Sequence, residues 1–151
     1  MHKNLVNEPP TDILLDMSER VVGFPVPDAI IDRFENVRPD DIPADIQALG
    51  LDVDGVLTFF HDGWLNGSIE RALQANAEAR QLFLVTNSYG KRAEELREIF
   101  KRVPLTEIIT PRSVSESGEN PKRHRKPSPD MLLHAMGQLG IAPHEFMMFD
   151  R

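Results

Sequence analysis

From about residue 46 onward, short apolar runs alternate with amphipathic helical patterns, and this alternation restricts the fold more than any other feature of the sequence. Ala48 to Val53, Leu82 to Val85, Glu107 to Thr110 and Glu145 to Phe149 read as strands. Between the first two, Ile69, Ala72, Leu73 and Ala79 follow a capping hydroxyl at Ser68. Between the second and third, Lys91 to Val103 puts Ala93, Leu96, Ile99, Phe100 and Val103 on one helical face, and Pro104 stops it. Before the last strand, Ser128-Pro129-Asp130 opens a helix with Met131, Leu132, Ala135, Met136 and Leu139 on its apolar face, closed by Gly140. Strand and helix in strict alternation predict an α/β fold, a parallel sheet with helices on both faces. In such sheets ligands bind beyond the carboxyl ends of the strands, where the strand order reverses. The polar residues at those ends are therefore the candidate site.

The remaining sequence divides the chain in two. Residues 1–45 carry prolines at 9, 10, 25, 27, 39 and 43, which forbid long regular elements. They read as an arm with one short helical turn from Asp28 to Phe34, and 46–151 as the folded core. A chain of 151 residues can bury such a core without staples, and its net charge of −7 argues against a general nucleic-acid footprint. Without cysteine there is no disulfide or thiolate chemistry. The N-terminus lacks the layout of a signal peptide and no apolar run is long enough to span a bilayer, so a cytoplasmic location is the expectation.

The first strand runs into LDVDGVLT, with Asp52 and Asp54 two residues apart. On a strand, i and i+2 share a side. Two carboxylates about 5 Å apart repel by roughly 3 kcal/mol at an effective dielectric near 20. Such a pair calls for a cation, and magnesium suits it because it takes oxygen ligands and binds through one or two carboxylates plus a phosphate. The second strand ends in Thr86-Asn87-Ser88, the fourth in Asp150, and Lys126 precedes the last helix. The blander readings are local: Asp residues and Thr86 as turn or helix caps, Asn87 above all. The histidines at 61, 124, 134 and 144 show no metal-ligand spacing and read as surface or packing residues, and the C-terminal methionines as core.

Taken together, DVDGVLT (52–58), LVTN (84–87), KPSPD (126–130) and Phe149-Asp150 resemble the motifs of the haloacid dehalogenase-like phosphatases, in order and over about two thirds of the chain. The run KPSPDMLLHAMGQLGIAP is most similar to the uncapped branch that includes histidinol-phosphate, heptose-bisphosphate and phosphatidylglycerophosphate phosphatases. The resemblance implies a three-layer Rossmann-like sandwich without a large cap domain, and a magnesium-dependent phosphomonoester hydrolase. It implies Asp52 as nucleophile forming an aspartyl-phosphate, Asp54 as acid and base, Thr86 and Asn87 on the substrate, and Lys126 offsetting charge. Magnesium would be held by Asp52, Asp54 and Asp150. Gly55 would let the chain turn sharply after Asp54. The chain departs from the family pattern in carrying Phe149 where Gly is usual, and in having no second acid after Asp150 before Arg151.

Only 23 residues separate Thr58 from Leu82, too few for a cap. Shielding then falls to the loop Phe59 to Asn66 with Phe60 and Trp64, to a partner subunit, or to a bulky phosphorylated substrate. A last strand with an open apolar edge also needs covering. The expectations are a further strand and helix beyond Arg151, the C-terminal part of the fold being absent here, or a homo-oligomer. The basic run Lys122 to Lys126 reads as a solvated loop, or as a device that steers an anionic substrate or a membrane surface to the site. Two other functions stay open: a catalytically impaired binding or structural module on the same fold, and a nucleic-acid binder using the loop 122–126.

Overall fold

The computed structural model describes residues 33–58 and 63–150, together with the strand segments 12–16 and 29–31. Four parallel strands form the centre: β3 (Ala48–Leu51), β4 (Gln81–Val85), β5 (Glu107–Ile109) and β6 (Phe146–Asp150). Their order across the sheet is β6-β3-β4-β5. The chain steps from β3 to β4 to β5, then returns to lay β6 on the other side of β3, so the strand order reverses between β3 and β6. Three helices connect them: α1 (Gly67–Ala79), α2 (Lys91–Ile99) and α3 (Asp130–Leu139). This is the α/β sandwich that the alternation predicts.

Strand parity sorts the core into two layers. Leu49, Leu51, Leu82, Leu84, Met147 and Phe149 face Leu73 of α1 and Leu96 of α2. Ala48, Phe83, Val85, Phe146 and Met148 face Met131, Leu132, Ala135 and Met136 of α3. Gly50 pairs with Met148 across β3 and β6, and a Cβ there would lie 2.7 Å from the Met148 sulfur and 2.8 Å from the Phe146 ring. Glycine is what lets that face close. Phe149 is fully buried and meets Phe34 edge-on at 5.1 Å between ring centroids. The Phe149 ring is thus absorbed into the α1/α2 layer by a residue from before β3.

The N-terminal region departs from expectation in two ways. Ala29–Ile31 is a strand, β2, and the helical turn falls later, at Phe34–Asn36. In addition Asp12–Asp16 forms β1, which pairs antiparallel with β6 from Ile13↔Asp150 to Asp16↔Met147, while β2 pairs with β1. The outer edge of β6 is therefore covered from within the chain, which removes the edge argument for an oligomer or a further strand. Proline-rich flanks hid β2, and β1 pairs with a strand more than a hundred residues away, which leaves no local trace. Arg80, following α1, anchors the segment before β3 by donating to the carbonyls of Pro39, Ile42, Pro43 and Ile46.

Helix ends shifted slightly. α1 is capped by Asn66, whose side-chain oxygen accepts from the Ser68 amide at 2.9 Å, so Ser68 lies inside the first turn. α2 stops at Ile99, short of Val103.

Candidate active site

Asp52 follows β3 at the point of strand reversal, and its amide still donates to the Phe149 carbonyl of β6 at 2.9 Å. The chain then folds back on itself: the Val53 carbonyl accepts the amides of Val56, Leu57 and Thr58. Gly55 sits at φ 86°, a conformation that costs a residue with a Cβ, and its amide donates to Thr58 O at 2.7 Å. That turn brings Asp54 back beside Asp52 on the wall of one cleft of about 330 Å³, lined by Asp52, Asp54, Thr86, Asn87, Ser88, Lys126 and Asp150. All six residues singled out in the sequence for catalysis, substrate or metal lie on this one cleft.

Lys126 is its hub. The ammonium lies 2.9 Å from Asp52 Oδ1 and 3.5 Å from Asp150 Oδ2, and donates to the Val85 carbonyl at 3.0 Å. Asn87 fixes the main chain beneath it, with Oδ1 accepting from the Lys126 amide at 2.6 Å and Nδ2 donating to the Lys126 carbonyl at 3.5 Å. Within the described structure, the Asn87 amide thus serves to position Lys126. Thr86 is buried; its hydroxyl oxygen accepts the Ser88 amide at 3.1 Å, which leaves the hydroxyl proton to donate into the cleft.

Burial pushes the Asp52 carboxyl up to about 6 from its ordinary 3.8, Lys126 pulls it back, and Asp150 adds to the rise. Asp54 is held differently. Its Oδ1 takes the Arg92 guanidinium at 2.8 Å and the Thr58 hydroxyl at 3.4 Å. Arg92 was missed in the sequence. One signal was there: a cation in the first turn of α2 stands at the wrong end of the helix dipole, so its placement asks for a partner.

Two carboxylates, Asp52 and Asp150, share the Lys126 ammonium, while that of Asp54 is engaged by Arg92. Among the described residues, no group of three or more acidic or His side chains converges as a cation cage. Of the three expected ligands, Asp52 and Asp150 stand as a pair about Lys126 while Asp54 is held by Arg92; magnesium keeps its own waters and needs only one or two carboxylates besides phosphate oxygens. The histidines take other partners: His124 bridges Glu119 and Asp130, and His134 meets Glu107. His61 and Phe60 of the expected shielding loop lie outside the described residues, and Trp64 is 60% exposed. No described helix is long and apolar enough to cross a membrane. In comparisons with known proteins, the chain matches no protein-family model, no curated protein and no solved structure.

Proposed function

We propose that this chain is a phosphomonoester hydrolase of the haloacid dehalogenase-like kind, working through an aspartyl-phosphate on Asp52. The observation that carries the reading is the Lys126 ammonium shared between Asp52 and Asp150 at the strand reversal, next to the buried hydroxyl of Thr86. A lysine so placed offsets the charge of a carboxylate nucleophile and of the phosphoryl group approaching it. Asp52 attacks phosphorus, the ester P–O bond breaks, and Asp54 gives its proton to the departing alkoxide. Water then attacks the acyl phosphate, Asp54 takes that proton back, and Asp52 and inorganic phosphate are released. Arg92 orients Asp54 for both transfers. Thr86 donates to a phosphoryl oxygen, and Asn87 holds Lys126 in place. Asp52 and Asp150 would hold a magnesium ion, which when bound supplies neutralisation of phosphoryl charge.

A nucleic-acid function for the basic loop is less well supported, because Arg123 and His124 are already paired with Glu119 and Asp130. The test is phosphate release from p-nitrophenyl phosphate with and without magnesium. Wild type should turn over only with the ion, and Asp52→Asn should lose at least about 10³-fold in kcat, in line with removal of an essential nucleophile. Equal rates in wild type and Asp52→Asn would reject the reading.

A further inference from the structure

Asn87 ties the main chain of Lys126 to the segment after β4, but the rest of that loop is closed by a side chain the chemistry above does not use. His124, two residues before Lys126, ends the short turn Pro121–His124, and its side chain is only 14% exposed. Its Nδ1 meets Asp130 Oδ2 at 2.6 Å and its Nε2 meets Glu119 Oε1 at 2.5 Å. Asp130 is the first residue of α3, so the Nδ1 contact closes the segment 124–130 into a loop with Lys126 inside it. The Nε2 contact fastens that loop to the chain before it, where Glu119 also accepts from the Glu116 amide at 3.2 Å and from Arg123 at 3.0 Å. The turn Pro111–Val114 packs against Pro121–His124 and adds one charge, Arg112, whose guanidinium lies over the Tyr89 ring, as does that of Arg125. The charged groups acting on the imidazole are Glu119 and Asp130, and Arg123 reaches it only through Glu119.

Two carboxylates on one ring need two N–H groups. An imidazolium has both, whereas a neutral imidazole has one N–H and one lone pair, and in either tautomer the lone pair confronts a carboxylate oxygen. One of the two contacts must then open. We propose that His124 is a positioning residue for Lys126: as an imidazolium it locks the loop 119–130 with the ammonium on the cleft, and loss of its proton loosens that loop and weakens the hold of the cleft on a phosphoryl-sized dianion. This rests on the phosphatase reading for the role of Lys126, and adds a pH control that is separate from the titration of Asp52. The bonds to Glu119 and then Asp130 hold the proton on the ring to above its ordinary 6.5, so the lock is closed at pH 6 and open at high pH.

The test is sulfate binding, measured by calorimetry in chelator-treated Asp52→Asn protein. Sulfate stays a dianion throughout, and the substitution removes the carboxyl that titrates near 6. In this parent, affinity should fall at least about fivefold from pH 6 to pH 9, as a charge-assisted contact is lost. Adding H124Q should lower the pH 6 affinity by a similar factor and leave the pH 9 affinity unchanged. Adding H124R, which keeps a cation between the same two acids at every pH, should restore the pH 6 affinity and flatten the profile. In a K126Q background H124Q should have no effect, because no ammonium remains to be positioned. Equal affinities of parent and H124Q at pH 6 overturn the proposal, as does absence of sulfate binding there. So does an H124Q effect of the same size with and without Lys126. A pH fall that persists in H124R overturns it as well, and that variant decides the matter alone if H124Q does not fold. Failure of the wild type to hydrolyse p-nitrophenyl phosphate would count against the phosphatase reading alone, since the lock is read by binding.

Discussion

Asp52 carries a cost that its position imposes. With its side chain 18% exposed, the carboxyl titrates near 6 in the folded chain against 3.8 when free, because burial outweighs the help of Lys126. The folded state therefore holds a proton that the unfolded state releases between those values. Stability from this group is present below about pH 4 and is lost as pH rises through about 6, up to about 3 kcal/mol in all. Asp52→Asn removes the ionisation. In chelator-treated protein, urea unfolding should show the variant gaining about 2–3 kcal/mol over wild type between pH 4 and pH 7. Parallel pH profiles for the two proteins would contradict the placement of Asp52. The strand-end carboxylates and Thr86 were legible in the sequence because polar residues ending apolar strands are conspicuous, and Lys126 because it opens the KPSPD motif before the last helix. Arg92 and the tie from Asn87 to Lys126 were not, because their partners lie 38 and 39 positions away and no local pattern encodes them.

Among the elements, the loop that delivers Lys126 is the most dependent on charge. As an imidazolium, His124 donates from Nδ1 to Asp130 Oδ2 at 2.6 Å and from Nε2 to Glu119 Oε1 at 2.5 Å. Bonds to those carboxylates, Glu119 first, raise the His124 pKa above 6.5, and the same ring lowers Glu119 and Asp130 below their ordinary values. The imidazolium contribution is complete below pH 6.5 and is lost as pH rises through the raised value. The carboxylate contribution is complete above about 4.5 and is lost as pH falls through the lowered ones. Hydrogen-exchange protection of the amides 123–126 should accordingly peak between about pH 4.5 and 6.5. In His124→Gln that maximum should disappear. A pH-independent protection in wild type would show that the bridge does not order the loop. The sequence offered the histidine only as a surface or packing residue, since its two acids sit on either side of it in a loop without periodicity.

At the scale of the whole molecule, the N-terminal segment and the core share one sheet. β1 and β2 extend it beyond β6, next to the strand that ends in Asp150. The four parallel strands and three helices could be read from the sequence because each is a local apolar pattern. The two added strands are short and lie among prolines, and only β1 docks on the distant β6 edge, with β2 paired to β1. Leu14→Pro should break the β1 ladder, whose position between β2 and β6 tolerates no missing N–H, and expose the β6 edge. Sedimentation velocity should then show concentration-dependent association beyond that of wild type; identical profiles would mean that β1 does not guard the edge. The same frame holds Asp150 opposite Asp52, so the proposed function belongs to the molecule as a whole: the proposal is that its strand-reversal cleft transfers a phosphoryl group to Asp52. The most direct measurement is acid quench of the magnesium-loaded protein during turnover of a ³²P-labelled phosphomonoester, followed by peptide mapping. The account predicts acid-stable, hydroxylamine-sensitive label on the peptide containing Asp52, and none in Asp52→Asn. Turnover with no label on that peptide, or label that persists in Asp52→Asn, would contradict it.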